Sequence, residues 1–286
     1  MRSLILLLLT AALAHAAVSP EKIENVRGLL RDRKLAAAES AANALIAAHP
    51  AEAEAYALLG SVRVAKGDPD GAVKAGEKAV QLAPASSEYQ RQLGDIYGFA
   101  AQKAGMLSMM SWAKKSRFAY EKAVELDPKN LTARQSLMSF YQMAPGMMGG
   151  GSDKAYAQAA EIKKLDDTRG RVAYAILKIG EKKYAEAFAE IEAVLQSTPD
   201  HYAALFQFGR AAALSGTRLD EGIAALKKCL ALPPTSGAPG HDAAHWRLGV
   251  IWEKKGDTPA ARAAYEASLK INPQFQQAID ALKKLD

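Results

Sequence analysis

The sequence predicts an all-α fold: a solenoid of about seven helix-turn-helix repeats closed by a C-terminal capping helix. Three observations carry this reading. Proline recurs at Pro50, Pro84, Pro128, Pro199, Pro234 and Pro273. A small residue stands twelve positions before each of them: Ala38, Ala72, Ser116, Ala187, Gly222 and Ala261. An apolar residue followed by glycine recurs as Leu59-Gly60, Leu93-Gly94, Phe208-Gly209 and Leu248-Gly249, with Tyr97 and Trp252 three positions after the glycine. A helix pair of this length cannot bury its apolar face alone, so neighbouring pairs must stack. The small residues allow close helix crossing, and each proline ends a second helix because its ring cannot continue the hydrogen-bond ladder.

In chain order, residues 1–16 come first. Arg2, an apolar run from Leu4 to Leu13 and then Ala14-His15-Ala16 form the pattern of a cleaved secretory signal peptide. The run is too short to span a bilayer comfortably. The expectation is a periplasmic or secreted protein, cleaved near Ala16, with no stable membrane insertion. Loss of Arg2 takes the formal charge from +6 to +5. Repeats follow at approximately 19–52, 53–86, 87–130, 131–167, 168–201, 202–236 and 242–275, and the capping helix at 275–285. "GDPD" at 67–70 and "GDTP" at 256–259 place Asp68 and Thr258 as helix caps, with Pro69 and Pro259 at the first helical position.

Two repeats depart from the pattern. The third carries ten extra residues within 99–116, and the fourth about five within "APGMMGGGS". Both insertions are expected in the turn between the two helices of their repeat, on one edge of the solenoid. Pro145 and Gly146 would stop the first helix of the fourth repeat, and Ser152 would cap the second. That repeat also has Leu137-Met138 without glycine, and Ala155 and Asp167 stand where others have the small residue and the proline. "TSGAPG" at 235–240 reads as a loop. In the last helix Phe275, Ile279 and Leu282 share one face.

The pattern resembles the tetratricopeptide repeat, W-x2-L-G-x2-Y, then A-x3-F, then P, in the form of an exported bacterial member. Tyr56 and His245 stand where the family has tryptophan. The resemblance implies a superhelix with a concave groove and a protein-binding, non-enzymatic role. In that family peptides lie along the first helices of successive repeats. The matching positions here include Arg91, Asp95, Gln135, Ser139, Gln142, Phe206, Arg210 and Trp246. Chaperone-binding members hold a C-terminal carboxylate with a Lys/Asn/Arg clamp. Arg91 with Asp95 does not reproduce it, so that activity is not implied.

Other chemistry is sparse. Gly146 and Gly151 have the spacing of a phosphate loop, but Ser152 and Asp153 follow where Lys and Ser/Thr are required. Lysine pairs are spread along the chain rather than gathered on one basic face, which argues against nucleic acid. Cys229 has no second cysteine to pair with and sits in an apolar run. Seven methionines lie in the two lengthened repeats, and Met106, Met109, Met110, Met143, Met147 and Met148 belong to or border the insertions, with Trp112 beside them. They pack the insertions together, form an adaptable apolar surface for a partner, or bind Cu(I) through thioethers. "HDAAH" at 241–245 resembles the zinc-protease H-E-x-x-H with Asp for Glu, but His241 reads as preceding its helix and His245 occupies an aromatic packing position. The leading expectation is an exported scaffold or chaperone-like adaptor that binds a protein or peptide in the groove and on the methionine edge, with no cofactor. A Cu(I)-binding protein is the alternative, and a metal-dependent hydrolase a distant one.

Overall fold

The computed structural model describes residues 19–235 and 237–285, so the segment read as a signal peptide lies outside the described residues. Among the described residues there are fifteen α-helices and no strand. They form two compact units, one up to Asp127 and one from Pro128. In the first unit α1 (Pro20–Arg31) pairs with α2 (Leu35–Ala48), α3 (Ala53–Lys66) with α4 (Pro69–Leu82), and α5 (Ser87–Lys103) with α6 (Met106–Leu126). In the second, α7 (Leu131–Met143) pairs with α8 (Ser152–Leu165), α9 (Asp167–Gly180) with α10 (Tyr184–Ser197), α11 (Tyr202–Ser215) with α12 (Leu219–Leu230), and α13 (His241–Lys254) with α14 (Thr258–Ile271). The final helix α15 (Gln276–Leu285) packs on α14.

The local chemistry follows the sequence closely. Ala38, Ala72, Ala155, Ala187 and Ala261 have no exposed surface, and Ser116 is 1% exposed. At Gly222 even a Cβ would lie 2.5 Å from that of Ala212. Gly67 ends α3 with φ of 81°, the left-handed region that favours glycine. Its amide and that of Asp68 then reach back to the carbonyls of Val64 and Arg63. Asp68 caps α4 by accepting from the Gly71 amide at 2.9 Å. At α14 the cap is Asp257, accepting from the Ala260 amide at 2.9 Å. Thr258 is already the first helical residue, a correction of one position. Gly151, with φ of 147°, likewise precedes α8, whose first residue Ser152 makes no capping bond. Ser152 is therefore not the cap: the helix starts one residue before a serine side chain could have served it.

The third-repeat insertion is not a turn. α5 has 17 residues and α6 has 21, where α3 and α4 have 14 each. The extra residues continue the helices because Ala100, Ala101, Gln102, Lys103, Met109 and Met110 are strong helix formers, and only Ala104 and Gly105 interrupt them. Seven added residues are about two whole turns, so α6 keeps Ser116, Ala119, Tyr120 and Ala123 on its buried face. The fourth-repeat insertion does remain a loop, with a 3₁₀ turn over Gly146–Met148.

Each unit has its own core. In the first, Val26, Ala42, Leu45, Leu59 and Val62 form one cluster and Leu93, Ile96, Tyr97 and Ala100 another. In the second, a large cluster runs through Ile179, Ile191, Phe206, Leu226, Cys229 and Ile251. The Cys229 thiol is fully buried and burial pushes its pKa up to about 11, so it packs as a small apolar group. α15 covers the last pair: Ala278 is buried in one cluster with Ala261 and Tyr265, and Phe275, Leu282 and Trp246 pack against that cluster. Ile279 lies outside that cluster, although it shares the sequence's apolar face. No described helix is long and apolar enough to cross a membrane.

Candidate functional site

The first helices α7, α9 and α11 line a cleft of about 350 Å³ in the second unit. Leu131, Val172, Ala173 and Ile176 supply its apolar part, and Gln135, Arg169, His201 and Gln207 its polar part. Ala238 and Pro239, from the loop before α13, also line it. That loop is tied down: the Tyr202 hydroxyl donates to the Pro239 carbonyl at 2.8 Å, and His241 Nε2 donates to the Leu232 carbonyl at 2.8 Å. Its turn chemistry was legible in the sequence; its place against the cleft was not.

His201 caps α11 with Nδ1 accepting from the Ala204 amide at 3.2 Å. The ring proton is thereby assigned to Nε2, which leaves a donor on the cleft wall. Burial holds this imidazole below its ordinary pKa, so it stays neutral near pH 7. Gln207 is 5% exposed, and its Oε1 accepts from Arg210 Nη1 at 3.2 Å. The Gln135 amide is hydrogen-bonded to no described residue.

Gln207 leads from the cleft to a pair of arginines. Arg210 comes from α11 and Arg247 from α13, two helices in contact. Arg247 lies over the Trp246 ring, 4.0 Å from its centroid, and its buried Nε meets no acceptor among the described residues. Burial, and then the charge of Arg210, pushes Arg247 down to about 10. Burial also lowers Arg210. Both remain cations at neutral pH, and no described carboxylate pairs with either. The sequence offered no means of finding Arg247, because its relation to Arg210 arises only when α11 and α13 meet.

The positions carried over from the repeat pattern divide sharply. Gln135 lines the cleft, Arg210 adjoins it, and Ser139 is half-buried on α7. Trp246 is half-buried against Phe275, with ring centroids 5.8 Å apart. Phe206 is 4% exposed and belongs to the core, which corrects its reading as a groove aromatic. Gln142 spends its amide on the carbonyls of Ile176 and Leu177, at 3.2 and 3.4 Å, bracing α7 on α9. In the first unit Arg91 is held by Glu88 at 2.6 Å and Asp95 at 2.5 Å, and Asp95 also accepts from the Tyr120 hydroxyl at 2.7 Å. The methionine positions fall in both units. Met106, Met110, Met143 and Met147 are exposed, while Met109 and Met148 are half-buried. Trp112 stacks on Tyr97 at 5.6 Å.

His241 opens α13 rather than preceding it, and burial, with His241 nearby, lowers the pKa of His245. Among the described residues no three His, Cys, Asp or Glu side chains are gathered as a metal site requires.

Comparison with known proteins agrees with this architecture. A family model described as tetratricopeptide repeat matches residues 23–87 and 212–274. No curated protein matches the chain in sequence. Its fold is similar to a tetratricopeptide-repeat protein from Parabacteroides merdae, at 16% identity, with 93% of this chain and 97% of that one covered and a TM-score of 0.62. A thermophilic repeat protein from Thermus thermophilus is 19% identical, over 68% of this chain and 97% of that one, with a TM-score of 0.55. A chain of the APC/C Cut9–Hcn1 hetero-tetramer is 16% identical, over 92% of this chain and 48% of that one, with a TM-score of 0.56.

Proposed function

We propose that this tetratricopeptide-repeat chain is a non-enzymatic scaffold that holds an extended, acidic segment of a protein partner along α7, α9, α11 and α13. The observation that carries the reading is the Arg210–Arg247 pair. Two half-buried cations on contacting helices, with no acid partner among the described residues, disfavour each other's charge, and an anionic group brought to them is favoured by both. The cleft beside them adds an apolar floor for a side chain and donors at Gln135 and His201 Nε2 for a peptide backbone. Arg guanidinium forks suit carboxylates.

The test is selection of peptides from a random display library on the full protein. Peptides carrying Asp or Glu beside an apolar residue should be enriched. The double variant Arg210→Glu, Arg247→Glu should bind them about a hundredfold more weakly, the scale of losing charged hydrogen bonds. Enrichment without acidic residues, or unchanged affinity in the folded double variant, would refute the proposal.

Export is the second part of the proposal, supported by the pattern in residues 1–16. Mass spectrometry of the native protein should find an N-terminus near Ala17. A retained Met1 in the cytosolic fraction would overturn it.

A further inference from the structure

The α5–α6 hairpin has chemistry that neither the core nor the cleft uses. Its two helices are longer than those of the preceding repeat, by three residues in α5 and seven in α6. Seven helical residues add about 10 Å. At the start of α6 stand Met106, Leu107 and Met110, which are 79%, 88% and 41% exposed. Further along the same helix Lys114 and Phe118 are also exposed, so Leu107, Met110, Lys114 and Phe118 form one stripe at helical spacing.

The chain segment that forms this tip carries charge of one sign. From Ile96 to Tyr120 the chain carries Lys103, Lys114, Lys115 and Arg117 and no Asp or Glu. Aromatic rings hold these cations near the hairpin. Lys103 Nζ lies 5.9 Å from the centre of Phe99, Lys114 Nζ 5.8 Å from Phe118, and Lys115 Nζ 4.6 Å from Trp112. Arg117 lies 4.8 Å from Phe118. Two carboxylates stand nearby: Glu77 is 3.9 Å from Lys115, and Glu121 is 3.8 Å from Arg117. Lys103 and Lys114 have no ion pair with a described residue. The Trp112–Tyr97 stack fixes α6 against α5 and so fixes the direction in which the tip points.

An exposed apolar tip flanked by two lysines that make no ion pair among the described residues matches an anionic lipid surface. Apolar side chains enter the boundary between headgroups and acyl chains, and long lysine side chains reach back to the phosphates. We propose that the α5–α6 tip docks the protein peripherally on anionic lipid, with Met106, Leu107 and Met110 entering the interface and Lys103 and Lys114 contacting lipid phosphates. Lys115 and Arg117, each with a carboxylate within 4 Å, are locally compensated. This contact lies on the first unit and does not depend on the acidic-peptide site of the second.

Flotation of the chain from Ala17 onward with lipid vesicles tests the idea. Vesicles of phosphatidylglycerol and phosphatidylcholine in equal parts are compared with phosphatidylcholine alone. The chain should float with the anionic vesicles and lose most binding as salt rises, because exposed charges are screened. Met106→Ser, Leu107→Ser, Met110→Ser in one variant, and Lys103→Gln, Lys114→Gln in another, should each weaken partition by about tenfold or more. Parent and variants all begin at Ala17, the N-terminus expected of the exported protein, so the apolar run of residues 4–13 makes no contribution. The substituted side chains are exposed, and an unchanged melting curve confirms that the fold survives. Equal flotation with both vesicle types, or variants that float like the parent, would overturn the proposal. So would an absence of flotation of the parent with the anionic vesicles.

Discussion

Met138→Gly is expected to destabilise the second unit by about 4 kcal/mol, although it restores the glycine seen at this position in other repeats. Met138 is fully buried on α7. Removing a buried side chain of this size costs about 2–5 kcal/mol in transfer and cavity terms, and glycine inside a helix costs about 1 kcal/mol more. The repeat alignment explains why methionine is needed. Where the first helix has Gly94, Gly209 or Gly249, a Cβ would lie 2.5, 2.2 or 2.3 Å from Tyr120, Leu226 or Tyr265 of the second helix. Each of those large residues stands four positions after the small residue of its repeat. In the fourth repeat the corresponding residue is Ala159, also fully buried. The large side chain is simply on the other helix. Adding Ala159→Tyr to Met138→Gly should therefore recover part of the loss. Urea denaturation, with amide exchange followed in α7 and α8, measures both effects. Parent-like protection in the glycine variant would sink the volume argument.

Gly249→Ala is expected to destabilise by about 2 kcal/mol, the net of two opposed terms. Alanine gains about 1 kcal/mol of helix propensity, but overpacking costs about 1–3 kcal/mol or more when neighbours cannot yield. Here the neighbour is the ring of Tyr265, which is fully buried, and its hydroxyl donates to the Glu253 carboxylate. A new Cβ would meet the ring carbons Cε1 and Cδ1 at 2.3 and 2.5 Å, and a flat ring held at its far end has no small movement that clears them. Gly98→Ala is the control. It lies within α5, and its Cβ would meet only Ser116 Oγ, at 3.6 Å. That variant should be as stable as the parent or slightly more so. Equal stability of Gly249→Ala and the parent in urea would show that α13 and α14 separate more easily than this packing implies.

These two sites mark how far sequence reading reaches. The Leu-Gly pairs and their absence at Leu137-Met138 are visible in one dimension, and so is the small residue that begins each second helix's buried face. Which large side chain fills the space over the glycine is not visible until the two helices cross. The same holds for the candidate site. Gln135 and Arg210 were found from their place in the repeat, but so were Phe206, which is inside the core, and Gln142, which braces two helices. Repeat position specifies a direction on a helix, and exposure depends on what the next repeat lays against that direction. His201 and Arg247 were missed because their roles come from burial and from neighbours far away in the chain.

By itself the sequence determined the helix-pair period, the proline ends, the small residues at the crossings and the capping helix. These are local or periodic constraints: a missing amide hydrogen, a missing Cβ, an apolar face recurring every turn. The tertiary structure alone decided that residues 99–116 lengthen two helices instead of forming a turn, that Asp257 and Gly151 rather than Thr258 and Ser152 precede their helices, and that Arg210 and Arg247 lie on contacting helices with no carboxylate partner among the described residues. Those outcomes depend on competition between conformations of similar local energy, and packing between residues distant in the chain settles it.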